Sequence, residues 1–477
     1  MKKILLGFTV LSAMTFASCD GFLEQEPELS QSNELTLSSY DGLNNATAGL
    51  YSMLQSASWY DGEYILSSEM RCGNAKKPKF EAGSGRLRGY TDWSNYSETG
   101  TSPVWSYAYY TITWANNVIN AIPNINIEAE RFATQKDLDN IKAEAMFMRA
   151  FCYHNLVTTY GQPYTYQPES LGVPVVTVTE NGTPARNTVA EVYAQIVADL
   201  TEAETLMADN YVRAGVSDPV AAASKPAIQA MLSRVYLYMG EWQKAADYAT
   251  KVINSGKFNL ASAADYKTMF SAAIAPKGGE YIFEVYGDKL NGYWDESGWT
   301  HLSYITNFGD NGSADICATM DLINLYEDGD VRLEMYQEHN GEYYCGKYTG
   351  KEGVQPRTTN VPIIRISEMY LNRAEAIING ANVAGVTAQS DLAALAAKRG
   401  CTVAAATPQG VFDERRRELA FEGHIHYDYA RCKKSMTRTD FDDLKNKDVA
   451  FPSHMWALPI PKREMEANPN MVQNPGY

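Results

Sequence analysis

The sequence predicts a mostly α-helical fold, in which helical hairpins stack into a curved scaffold with long irregular loops and a few short strands. Three observations carry that expectation. Apolar residues recur at spacings of three and four along much of the chain. One segment, Ala227 to Ala245, has the small-residue, glycine-broken pattern of two closely packed helices. The stretches between periodic segments are rich in Gly, Asn, Asp, Trp and Tyr and show no period.

The chain opens with Met1-Lys2-Lys3 and a mainly apolar run, Ile4 to Phe16. At about 1.5 Å per residue, a helix of that run falls short of the ~30 Å bilayer core. Residues 1–18 therefore read as an export signal. The run ends Phe16-Ala17-Ser18-Cys19, which resembles a lipobox, although Phe16 and Ser18 depart from its commonest residues. Cys19 is then expected to be acylated and to become the first mature residue, anchoring the chain without spanning the membrane. Residues 19–40 read as the lipidated N-terminus and tether. Asp20, Glu24, Glu26 and Glu28 follow the cysteine and resemble a surface-export signal.

Beyond the tether, Tyr40 to Gln55 places Leu43, Ala46, Leu50 and Leu54 on one helical face. Val104 to Ile122 is a second apolar helix, and Ile141 to Tyr160 a third that stops at Gly161. Thr188 to Met207 is a fourth, with Thr188 as N-cap and Glu191 completing a capping box. In Pro226 to Ile253, Gly240 ends one helix and Trp242 opens the next, in the manner of a tetratricopeptide hairpin. Weaker hairpins pair Lys142–Tyr160 with Val189–Met207, and Ser367–Ile378 with Ser390–Arg399. Strand-like runs occur at Tyr281–Val285 and Val361–Arg365. The stretches Ser56–Ser102, Gly256–Asn360 and Phe451–Tyr477 read as long functional loops.

The formal charge of −16 argues against a nucleic-acid binder, which needs basic patches. Loss of residues 1–18, with two lysines and no acids, takes the charge to −18. The chain carries 32 Tyr and 8 Trp, residues that join an apolar face to a polar edge, as a ring-stacking site requires. Seven dispersed cysteines form no CxxC pair, which speaks against zinc or dithiol redox chemistry.

Taken in order, the segments resemble the SusD/RagB family of nutrient-binding outer-membrane lipoproteins over essentially the whole mature chain. The resemblance rests on Cys19, Ala143-Glu144-Ala145 with Arg149-Ala150-Phe151, Tyr160-Gly161, and the hairpin at Gly240 and Trp242. It continues through Ile364 to Ala376, through Arg415-Arg416-Arg417-Glu418-Leu419-Ala420-Phe421-Glu422-Gly423, and to the close at Leu458-Pro459-Ile460-Pro461 and Asn474-Pro475-Gly476-Tyr477. It implies an N-terminal part at 41–255 and a C-terminal part at 256–477. It also implies a cell-surface location on the outer membrane, an oligosaccharide ligand and a TonB-dependent, SusC-like transporter as partner. No cofactor, metal or nucleic acid is expected.

A sugar site needs flat aromatics with amides or charges beside them. Two loops supply that mix: one with Trp59, Tyr60, Arg71, Asn74, Trp93, Asn95 and Tyr96, the other with Tyr286, Tyr293, Trp294 and Trp299. By position, Trp93 and Trp294 match the regions where the family carries its aromatic platform. Catalytic signals are weak. Asp92 and Asp295 are the carboxylates a glycosidase would need. His424 and His426 lack helical metal spacing, and Asp310 to Asp315 resembles half a calcium loop. Arg415 and Glu418 are three apart and so expected to meet, while Glu418 and Glu422 would repel unless a cation lies between them. A peptide ligand, or a hydrolase activity, is the competing expectation.

Overall fold

The computed structural model describes residues 33–79, 93, 104–287, 300–307, 312–353, 358–440 and 446–477. Capping sets where the long helices begin. In α1 (Tyr40–Ser52) the Ser39 hydroxyl accepts from Gly42 N. Next come α2 (Glu63–Arg71), α3 (Trp105–Ala121) and α4 (Gln135–Tyr160). Helix α4 starts at Gln135 rather than Ile141, because Thr134 and Asp137 form a capping box ahead of a polar first turn. The box expected at Thr188 and Glu191 is present and opens α5 (Val189–Leu206).

In α6 (Lys225–Met239) and α7 (Trp242–Asn254), Gly240 adopts the left-handed conformation at φ +74° and donates to the last carbonyls of α6. Ala227, Ala230, Ala245, Ala246 and Ala249 are fully buried between these helices and their neighbours. The Ser233 hydroxyl donates to Ala245 O at 3.0 Å, which fixes the close approach. The chain then forms α8 (Ile366–Ile378), α9 (Ala388–Arg399), α10 (Pro408–Glu418) and α11 (Ile425–Arg431). The expected hairpins α4–α5, α6–α7 and α8–α9 all pack as pairs. Helix α5 also packs on α6, and α7 on α8, so the pairs stack into a continuous scaffold.

Strand content is small. Strands β1 (Ala75–Lys76), β3 (Cys317–Ala318), β4 (Tyr336–His339) and β5 (Glu342–Cys345) form a sheet in the order β1-β3-β5-β4. The two strands expected from sequence, β2 (Tyr281–Val285) and β6 (Val361–Arg365), pair antiparallel with Tyr281 opposite Arg365. Both are buried along their whole length, hence their near-continuous apolar runs. The stretch from Ser56 holds α2, which lacks a clean apolar period and was not expected from sequence. Among the described residues, no helix is long and apolar enough to cross a membrane.

Where β6 meets α8, charges replace apolar packing. Arg365 donates to Glu280, Glu418 and Glu422 at 2.6 to 2.9 Å. Arg399, at the end of α9, donates to Glu280 and Glu418. Arg332 reaches Asp330, Glu414 and Glu418, and Lys347 reaches Glu422 at 2.6 Å. Arg415 and Glu418, which their spacing allows to meet, instead take other partners in a structural ion-pair network. Helix α10 ends at Glu418, whose carboxylate turns to Arg365, Arg399 and Arg332, while Arg415 bonds Asn372 and Asp428. The cation required between Glu418 and Glu422 is Arg365, brought from another strand. The remaining charged positions are structural too: Glu368 binds Arg234, Arg373 binds Asp391, and Glu375 binds Arg431.

Glu418→Gln removes a charge shared by three arginines in a dry site. It is expected to cost about 3–5 kcal/mol in chemical denaturation, the usual penalty for stranding buried partners. Breaking the exposed Lys462–Glu466 pair should cost under about 0.5 kcal/mol. A loss below about 1 kcal/mol for Glu418→Gln would contradict the assignment.

Candidate functional site

The candidate site starts from a short segment, residues 55–62, folded as a set of tight turns. Trp59 N and Asp61 N both donate to Ser56 O, and Glu63 N donates to Ala57 O at 2.7 Å. The segment then reaches outward to three other parts of the chain. Val104 N donates to Ser58 O at 3.1 Å. Gln55 Nε2 donates to Tyr286 O at 2.6 Å. Asp61 accepts from His301 N at 2.8 Å and Leu302 N at 3.1 Å, capping the short helix His301–Thr306. A Cβ at Gly62 would sit 2.6 Å from Ala57 O and closer still to the His301 ring, so only glycine permits this approach.

The consequence is geometric. Within the long stretches read from sequence, Val104 follows the aromatic-rich residues 80–103, and Tyr286 and Thr300 flank the aromatic-rich residues 288–299. Segment 55–62 therefore bonds the residue that follows residues 80–103 and residues on both sides of 288–299. On the other side of residues 80–103, Lys79 N donates to Glu342 Oε1 at 2.8 Å. Beside the root, Lys351 Nζ lies 3.5 Å from the centre of the half-buried Tyr286 ring and donates to Gly287 O. Gln55, Asp61, Gly287, Thr300 and Thr359 enclose a small cavity there.

Most of the described candidate residues face inward. Trp59 is fully buried and stacks on Phe151 at 6.3 Å, and its indole N–H has no partner among the described residues. Tyr60 stacks on Phe151 at 5.5 Å and bonds Asn155. These two rings build the root rather than a solvent-facing platform. Arg71 is buried, its carbonyl accepts from Trp93 Nε1 at 2.9 Å, and its guanidinium lies 5.4 Å from the Trp93 ring centre. Trp93 packs edge-on against Trp456 at 5.4 Å and beside His426, with its own backbone at φ +52°. In this structure Trp93 is part of a buried cluster with Trp456 rather than a solvent-facing platform. Asn74 bonds Glu69 and Arg416 and is fully buried. The sequence-predicted Cys19, Asn95, Tyr96, Tyr293, Trp294 and Trp299 lie outside the described residues, as do Asp92, Asp295, Asp310 and Asn311.

Sequence reasoning missed Gln55, Ser58 and Asp61. Their partners lie far along the chain, and a lone Asp before Gly carries no signal for capping a helix at residue 301. Burial pushes the Asp61 carboxyl up to about 7, against the pull of its two backbone N–H donors. Burial also lowers His424 to about 4 and His426 well below the ordinary range, so both stay neutral inside the core. Among the described residues, no group of three or more His, Cys, Asp or Glu side chains is placed to hold a metal ion.

Known proteins share the helical-hairpin scaffold. A family model described as starch-binding and associating with outer membrane matches residues 21–237. The SusD family model matches residues 334–477. A SusD-like protein of Formosa agariphila is 26% identical, with 100% of both chains covered. The starch-binding protein SusD of Bacteroides thetaiotaomicron is 34% identical over 25% of this chain and 22% of its own. A crystal structure of a SusD superfamily protein from Bacteroides thetaiotaomicron superposes with a TM-score of 0.80 at 29% identity, covering 92% of this chain and 100% of that one. The chain belongs to the SusD/RagB family.

The Asp61 anchor has a pH signature. Its folded pKa near 7 lies above the unfolded value of 3.8, so ionisation opposes folding as pH rises between those limits. Asp61→Asn should therefore gain stability relative to the parent from pH 5 to pH 8, by at most roughly 1.4 kcal/mol per pH unit. Thermal melting at the two pH values reads this difference. A difference that is flat or shrinks with pH would contradict the buried, high-pKa assignment.

Proposed function

We propose that the chain is a cell-surface lipoprotein, acylated at Cys19, that captures an oligosaccharide and passes it to a TonB-dependent, SusC-like outer-membrane transporter. The observation that carries the reading is the common root of the two loops. Segment 55–62 bonds Val104, which follows the first Trp- and Tyr-rich stretch, and Tyr286 and His301, which flank the second. The loop side chains suit a saccharide: Trp294, Trp299, Tyr96 and Tyr293 offer flat faces to sugar C–H groups, and Asn95 offers an amide to the hydroxyls. The names borne by relatives, starch-binding among them, support a glycan over a peptide.

The protein's task on this reading is capture, with no bond made or broken. The carboxylates Glu280, Glu418 and Glu422 are tied into buried ion pairs. The lipid on Cys19 holds the body at the membrane through about 0.8 kcal/mol per buried methylene. The tether lets the body sit over a transporter in the same membrane.

The test is binding of the purified mature body to a panel of neutral polysaccharides, including amylopectin and laminarin, by affinity electrophoresis. At least one should retard the protein. Trp294→Ala should weaken that binding about tenfold, equivalent to ~1.4 kcal/mol. Incubation with the same glycans should release no reducing ends. Failure to bind any glycan would sink the proposal, and turnover would replace it with a hydrolase. In the host, Cys19→Ala should abolish fatty-acid labelling and release the protein from the membrane fraction.

A further inference from the structure

Helix α3 presents an unusual outer face. Its inner face, with Thr111, Ile112, Ala115, Asn116 and Val118, is buried in the main core. The outer face carries Tyr110, 60% exposed, and Trp114, 36% exposed. Residues 110, 114, 117, 121 and 124 follow at alternating spacings of four and three, so Tyr110, Trp114, Asn117, Ala121 and Asn124 form one stripe. Packing does not demand two exposed rings in line.

The lower half of the stripe is one wall of an open groove of about 610 Å³. Asn117, Asn120 and Asn124 line that wall, and Val178, Thr179 and Glu180 line the other. Leu37 and Ser38 also line the groove. The second wall is held in place by α3 itself. Asn116 Nδ2 donates to Val176 O at 2.9 Å, Asn120 Nδ2 to Thr177 O at 3.2 Å, and Thr179 Oγ1 to Thr113 O at 3.3 Å. Tyr153 OH pins the same stretch by donating to Val176 O. Among the described residues, the Asn117 and Asn124 carboxamides make no side-chain hydrogen bond and face the groove free.

We propose that this face is a second, remote subsite for the same neutral polysaccharide, an inference that rests on the glycan-binding reading. The chemistry selects the ligand class. Two flat rings suit sugar faces, carboxamides and hydroxyls suit neighbouring sugar hydroxyls, and no Lys or Arg lines the groove to hold an anion. Position selects the same polymer. Helix α3 starts just after its N-cap Val104, the residue bonded to Ser58, and its 17 residues extend about 25 Å from there. A long glycan that follows α3 from Val104 passes Tyr110 and Trp114 before it reaches the groove. A short one ends before reaching it. The subsite then acts by raising avidity for long chains through effective concentration.

The test compares chain lengths. The probes are whichever of amylopectin or laminarin retards the parent protein, and a hexasaccharide of the same linkage, measured by affinity electrophoresis and calorimetry. Tyr110→Ala with Trp114→Ala should weaken polysaccharide binding about five- to tenfold and leave hexasaccharide binding within twofold. Asn117→Ala with Asn124→Ala, which keeps both rings, should weaken the polysaccharide alone by a smaller factor. Both pairs are on the surface, and unchanged thermal melting verifies their fold. Full polysaccharide affinity in both double variants overturns the subsite, as does an equal loss for both probes. Full affinity with lost co-purification of the transporter also overturns it, and marks the face as a protein-docking surface. If the parent binds no glycan, the functional reading fails first and takes the subsite with it.

Discussion

The fold depends on a buried ionic cluster at the junction of β6, α8, α9 and α10. Arg332, Lys347, Arg365 and Arg399 face Asp330, Glu280, Glu414, Glu418 and Glu422, all essentially without solvent. Isolated, each of these charges would cost several kcal/mol to bury. Together they satisfy one another: burial alone would raise Glu418, yet Arg399 and Arg365 hold it well below the ordinary carboxylate range. Glu280 also accepts from Ala261 N, and Lys347 donates to Ala420 O, so the cluster binds backbone as well as side chains. No apolar substitute could replace one member without stranding the rest. The cluster therefore fixes the register between the last hairpin and the β2–β6 ladder.

That register matters for the site. Strand β2 leads directly to Tyr286, and β6 follows the residues that close over Gly287, where Asn360 Oδ1 accepts from Gly287 N. A shift at Arg365 would move the start of the second loop relative to segment 55–62. Trp93 and Val104 are held from another direction, Trp93 on Trp456 and Val104 on Ser58. Charge pairs set the body, and hydrogen bonds from segment 55–62 hold Val104, Tyr286 and His301 upon it. Rigid elements below and loops above is the usual division where a fold carries a binding surface.

The sequence disclosed the periodic parts of this molecule well. The Gly240 hairpin, the Thr188 capping box and the β2 and β6 runs have local signatures, and local physics places them. It disclosed the charged motifs only in kind. Arg415-Arg416-Arg417-Glu418 reads as a network, but its partners arrive from Arg365, Arg399 and Asp428, and spacing along one helix does not reveal them. The two aromatic-rich stretches were legible in composition, and the segment 55–62 that bonds their flanking residues was not. Trp59 and Tyr60 look like platform residues in composition, yet Phe151 and Asn155 claim them for the core. Aromatic side chains serve both roles with the same chemistry, and only burial separates them.

The account turns on whether the two rooted loops close on one ligand together. Amide hydrogen exchange of the mature body, with and without a bound polysaccharide, tests this directly. Residues 80–103 and 288–299 should gain protection in the same titration and with the same midpoint, while the helices around Arg365 stay unchanged. Protection confined to one loop, or appearing only on the outer faces of the helical hairpins, would contradict it.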